Sequence, residues 1–240
     1  MKIKILHLFP DLLNLYGDSG NIESLRKRLA WRGIDAEVRE YKADDTDFDL
    51  SDVDILFLGG GTEREERIAV SKLMAEKEKI LDYVNSGKSL FAVCGGFRML
   101  GKYSETDENK QEELGILDFY TKIAENGFIG DVVMESPVIG CKIVGFENHR
   151  ERYFIEKYKP LGEIVRGNGN NGTDGNEGLV YKGVVATNLH GPLLPKNPKL
   201  CDYILENALK IKYSEFEGLS PLSDDLENKA NNLIVERYKN

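Results

Sequence analysis

The chain has 240 residues and a formal net charge of -9; its 41% hydrophobic and 30% charged content is that of a globular protein able to bury one large α/β core. The acidic balance argues against a protein that grips nucleic acid, which needs clustered Lys and Arg to displace counterions. No apolar run approaches the roughly 18 uncharged residues of a spanning helix. The start, "MKIKILHLFPDLLNLYGDSG", carries acids and Pro10 where a signal peptide would be cleaved, so a cytoplasmic protein without membrane insertion is expected.

In chain order, "KIKILHLFP" predicts a first strand ending at Pro10. "LYGDSGNIESLRKRLAWRG" predicts a turn and then a helix with Ile22, Leu25 and Leu29 at helical spacing, closed by Gly33. "IDAEVREY" reads as a second strand. "VDILFLGGG" reads as a strand covered on both faces, ending in Gly59, Gly60 and Gly61. One long helix is expected over "EREERIAVSKLMAEKEKILDYVNSG", and "SLFAV" is the next buried strand, leading into Cys94. Buried strands joined by helices predict a parallel sheet whose ligands gather beyond the carboxyl ends of the strands.

From about Leu114 the segments "LGILDFYTKI", "FIGDVVMES", "VIGCKIVGFEN" and "YFIEKY" read as short antiparallel strands, added to the sheet or folded over it. "GNGNNGTDGNEG", Gly167 to Gly178, is a loop, mobile or tightly turned. "LVYKGVVATNLHGPLLPKNP" predicts a hairpin whose second strand delivers His190, and two helices finish the chain. Residues 1–211 read as one domain and 212–240 as a helical extension.

Three cysteines (Cys94, Cys141, Cys201) without a CxxC pair signal neither disulfides nor zinc. Cys94 is either a small buried hydrophobe at a strand end or a nucleophile on a tight strand-to-helix turn, where glycines allow the cramped backbone and a helix N-terminus favours the thiolate. A cysteine that attacks a carbonyl needs oxyanion donors, and backbone N–H groups of Gly59 to Gly61 and Gly95 could supply them. It also needs an imidazole. Of the three histidines, His190 ends an apolar strand, His7 lies within the first strand in a structural position, and His149 in "FENHRER" is either a substrate-shaping or hydrogen-bonding loop residue or merely exposed.

The motifs "YGDSGNI", "LGGG", "VCGGFRMLG", "GFENH", "GNGNNGTDGNEG" and "HGPLLPKNP" resemble class I glutamine amidotransferases of the cobyric acid synthase branch, and within them the glutaminase subunits of lipid II isoglutaminyl synthases. The resemblance spans Met1 to about Leu209. It implies a flavodoxin-like three-layer α/β fold, with a mainly parallel central sheet extended by antiparallel strands. It also implies Cys94 as nucleophile toward the side-chain amide of L-glutamine, His190 as proton shuttle, and a heterodimer with a Mur-ligase-like synthetase. That partner would hold ATP and Mg, use the ammonia to amidate the D-glutamate of the peptidoglycan stem, and leave this chain without a cofactor or metal.

Against the pattern of related enzymes, Arg98 stands where Gln is usual and so enters as a candidate substrate-site residue. Gly127 and Phe128 precede Ile129 where a basic residue is common, and Pro192 stands where many relatives carry the acid that orients the histidine. Glu147, or an acid of the synthetase, would then have to do that work. Two other readings share these residues: a subunit of cobyric acid synthesis, disfavoured because no GxxxxGK[ST] phosphate loop occurs, and a catalytically weak regulatory subunit.

Overall fold

The structure is a computed structural model and describes residues 1–238. Its first sheet is built from β1 (Lys2–Leu8), β2 (Asp35–Tyr41), β3 (Ile55–Leu58), β4 (Ser89–Val93), β11 (Leu179–Tyr181) and β12 (Val184–Thr187). The strand order is β11-β12-β4-β3-β1-β2, parallel throughout except for β11, which pairs antiparallel with β12 at the edge. Read from the other edge, the five parallel strands follow the 2-1-3-4-5 order of flavodoxin-like sheets, whose ligand crevice lies where the order reverses, between β1 and β3.

The three layers follow from period-two alternation along wholly buried strands. Leu56, Leu58, Leu90 and Ala92 point into one core, which α2 (Glu63–Met74), α3 (Lys77–Asn85) and α4 (Gly95–Met99) cover; Ile55, Phe57, Phe91 and Val93 point into the other, under α1 (Ser19–Ala30) and α5 (Pro198–Lys212). The single helix expected after "GGG" is two. Glu76 (φ -106°, ψ 9°) leaves helical geometry between α2 and α3, while Leu73 and Ile80 stay in phase on the buried face, so the periodicity carried no sign of the break.

The antiparallel segments fold into a sheet of their own: β5 (Tyr103–Glu105), β6 (Lys110–Glu112), β7 (Phe119–Ser136), β8 (Cys141–Ile155), β9 (Gly162–Arg166) and β10 (Asn176–Glu177), ordered β10-β9-β7-β5-β6 with β8 also on β7. The four short strands read from sequence merge into the two long ones, β7 and β8. What looked like a turn at "AENG" is an irregularity where the β7–β8 register shifts between Ile123 and Phe128.

Helix α6 (Asp225–Arg237) lies on this second sheet through Val235 against Val133 and Val144. Asp224, just before it, is 2.6 Å from Arg28 of α1. The last two positions of the extension lie outside the described residues. Among the described residues no helix is long and apolar enough to cross a membrane.

Candidate active site

Cys94 sits between β4 and α4 with φ +53° and ψ -116°, a backbone conformation that a side-chain-bearing residue adopts only when its surroundings enforce it. Its N–H is tied to Thr187 O at 2.9 Å, and Tyr153 Oη reaches its carbonyl at 3.5 Å. Gly60 makes the turn possible from the β3 side, because a Cβ there would stand 3.1 Å from Cys94 Cβ. Gly95 does so from the α4 side, where a Cβ would collide with the Glu66 carboxylate.

Cys94 is half-buried and lines a cavity of about 250 Å³, together with Leu15, Tyr16, Gly61, Glu66, Arg98 and the β8 segment Asn148–Glu151, among others. Burial pushes its thiol well above the ordinary range, and the carboxylates of Glu66, Glu151 and Asp18 push it further; the Gly95 N–H pulls the other way. The thiol is therefore protonated at neutral pH in this state, so an acceptor for its proton is required.

His190 follows β12, the strand paired in parallel with β4 through Thr187 and Val93, so thiol and imidazole leave adjacent strand ends. Its backbone pairs with Phe146 of β8 (N–H to O, 3.0 Å), and the ring is buried with Nε2 unpartnered. His190 is not in the cavity wall. Tyr16 lies between, stacked on the imidazole and held by a 2.9 Å bond from Asn148 Nδ2 to its hydroxyl. Burial pulls the His190 pKa down to about 4, with His149 adding to the effect, so the ring is neutral and able to accept a proton.

The glycine triplet behaves differently from a row of free donors. The Gly60 N–H is given to Asp18 Oδ2 (3.0 Å) and the Gly61 N–H to Glu66 Oε1 (3.2 Å), while Gly59 is packed against Leu13 O and Asp18. Asp18 is fully buried, and its carboxyl is pushed up to about 6 by that burial against the pull of Gly60. Arg98 is likewise spoken for. Its guanidinium is buried, bonded to Glu66 (2.6 Å), to Glu113 and to Ser104 (3.2 Å), with Glu151 at 3.7 Å.

Glu147 does not serve His190. Its carboxylate accepts from Asn168 and Gly169, which makes Gly167–Gly178 a tightly turned loop, and it stands 3.8 Å from His149 Nε2. No carboxylate of the described residues hydrogen-bonds the His190 ring. His149 is not exposed, and it sits in a strand rather than a loop: buried in β8, it lines the cavity and meets Glu151 O through Nδ1 at 3.0 Å, in keeping with the shaping and hydrogen-bonding branch of its reading. His7 is buried in β1 against Phe57, as a structural residue would be.

Sequence reasoning missed Tyr16, Asp18, Glu66, Asn148, Arg150 and Glu151. Tyr16 and Asp18 were inside a quoted motif; Glu66 was hidden in "EREER", which reads as a solvated helix face.

Residues 4–198 match the model of the CobB/CobQ-like glutamine amidotransferase domain. The chain belongs to that family. It is 40% identical, over 98% of its own length and 96% of the other's, to the subunit GatD of the lipid II isoglutaminyl synthase (glutamine-hydrolyzing) of Staphylococcus aureus. A probable cobyric acid synthase of Methanocaldococcus jannaschii is 30% identical over 78% of this chain, which spans only 40% of that protein. A solved glutamine amidotransferase superposes with a TM-score of 0.56 at 20% identity, covering 85% of this chain and 98% of that one; this likeness bears on the fold alone. The cavity lies beyond the carboxyl ends of β1, β3 and β4, whose following residues Tyr16, Gly61 and Cys94 line it, on the side of the sheet where folds of this order bind their ligands.

Proposed function

We propose that the chain is the glutaminase subunit of a two-component amidotransferase: it hydrolyses L-glutamine to glutamate and ammonia, and a Mur-ligase-like synthetase uses the ammonia to amidate the D-glutamate of the lipid II stem peptide. ATP and Mg belong to the synthetase, and the pair works in the cytoplasm, where three free thiols persist. The observation that carries this reading is Cys94, a non-glycine residue held at φ +53° in the wall of an amino-acid-sized cavity. The near-full-length similarity to GatD favours the cell-wall acceptor over a corrin.

The chemistry follows from the two neutral partners. His190 takes the proton from Cys94 as the sulfur attacks the carboxamide carbon, and the carbonyl oxygen becomes an oxyanion facing the Gly95 N–H and the Gly61 N–H, which Glu66 yields from its 3.2 Å bond. Collapse breaks the C–N bond, His190 protonates the leaving nitrogen, and ammonia departs. Water, deprotonated by His190, then cleaves the thioester to glutamate and returns the proton to sulfur.

Tyr16 screens His190, and no acid of the described residues reaches its ring, so the isolated chain rests in a weakly active state. An acid of the synthetase completes the site on assembly. The test is glutamate release from L-glutamine by the chain with and without its synthetase: slow alone, much faster together, and lost on mutating one interfacial acid of the partner. Full activity from the chain alone, unchanged by the partner, would overturn assembly control; no release by the complex would overturn the glutaminase reading.

A further inference from the structure

The cavity wall carries two arginines, and their engagement differs. Arg98 is buried and its two terminal nitrogens are taken by Glu66, Glu113 and Ser104. Arg150 is exposed, and the one bond that its guanidinium makes among the described residues is Nε to Ala124 O at 2.9 Å. Both of its terminal nitrogens remain for a ligand. Its side chain lies over Gly127 of the paired strand β7, where an added Cβ would meet Arg150 Cγ in ordinary contact at 3.7 Å, and it reaches the cavity wall from there. Next to it, Glu151 is half-buried in the same wall; its Oε2 accepts the Arg150 N–H at 3.0 Å and its Oε1 has no partner nearer than Arg98 Nε at 3.7 Å.

A free amino acid bound by its side-chain amide near Cys94 must place two opposite charges toward the mouth, and a carboxylate is best received by the fork of a guanidinium. We infer that Arg150 receives the α-carboxylate of glutamine and Glu151 its α-ammonium, a clamp that selects the free amino acid over other primary amides. This rests on the glutaminase reading above. Arg150 and Glu151 are specificity residues, since the carboxamide itself lies at Cys94.

The test uses the chain assembled with its synthetase and compares L-glutamine with 4-aminobutanamide, which keeps the carboxamide and amine and lacks the carboxylate. Removing a charge-assisted pair corresponds to about a 10- to 100-fold change. Arg150→Met should raise KM for glutamine by about that factor while kcat/KM for 4-aminobutanamide stays within about twofold, and Arg150→Lys should restore part of the preference. Glutaramic acid, which has the carboxylate and lacks the amine, should be spared in the same way by Glu151→Gln. An Arg150→Met complex that keeps the wild-type preference, or that loses both substrates equally, overturns the assignment. If the wild-type complex releases no glutamate from glutamine, the glutaminase reading fails, and this inference with it.

Discussion

The phenol ring of Tyr16 lies flat on the imidazole of His190, with ring centroids 4.0 Å apart and planes 12° from parallel. The ring keeps water from the imidazole, and burial is what holds its pKa near 4. Tyr16→Ala should let His190 titrate closer to the ordinary value of 6.5, followed through its ring C–H resonances against pH. An unchanged midpoint would show that β8 and β12, rather than Tyr16, dehydrate the ring.

Alkylation of the thiols tests the electrostatics at Cys94. With burial and three carboxylates holding the thiol protonated, iodoacetamide should modify Cys94 of the isolated chain slowly at pH 7 and faster only above the ordinary thiol range. Cys94→Ser should abolish both glutamate release and labelling by a glutamine-mimicking electrophile, whereas Cys141→Ser and Cys201→Ser should spare both. A labelled peptide containing Cys141 or Cys201 would move the nucleophile elsewhere.

Arg98 holds two buried carboxylates apart. Burial disfavours its own charge, yet Glu66, Glu113 and Glu151 together keep it firmly protonated. Arg98→Ala leaves Glu66 without its cation, and breaking such a buried pair costs about 3–5 kcal/mol. Chemical denaturation at pH 7 reads this directly. A loss below about 1 kcal/mol would mean that the carboxylates neutralise by taking up a proton.

Acid stability has a definite sign. His7 is held near pKa 4 by burial against 6.5 when unfolded, so between these values the unfolded chain binds more protons and stability falls as pH drops. Asp18, pushed up to about 6 from 3.8, works the other way, since protonating it on acidification favours the fold. His7→Leu should therefore remove part of the loss between pH 6.5 and 4, on the order of 2–3 kcal/mol. His190, lowered to about 4 in the same way, adds its own loss over this window, so equal acid sensitivity in His7→Leu and wild type would show that His7 contributes none of it.

The sheet was legible because apolar runs such as "ILFL" and "SLFAV" have one physical use, burial on both faces. The cysteine was legible because a strand that runs into Cys94-Gly95-Gly96 needs a reason for its abrupt turn. The break at Glu76 was not, because the helical phase survives it. Nor was Arg150, which reaches the cavity wall and bonds Ala124 O only because β8 pairs with β7, a relation that spacing along one chain does not encode. The occupied amides of Gly60 and Gly61 were hidden for the same reason, since Asp18 and Glu66 reach them only in three dimensions.

The pairing of β4 with β12 also orders events during synthesis. Cys94 leaves the ribosome long before His190 does, and β4 gains its β12 neighbour only when Val184–Thr187 has been made. A chain cut short before Val184 thus carries Cys94 without the β12 strand end that stands beside it in the finished fold. The bond from the Cys94 N–H to Thr187 O is also missing until then, so the strained turn is locked by a strand that is made some ninety residues later.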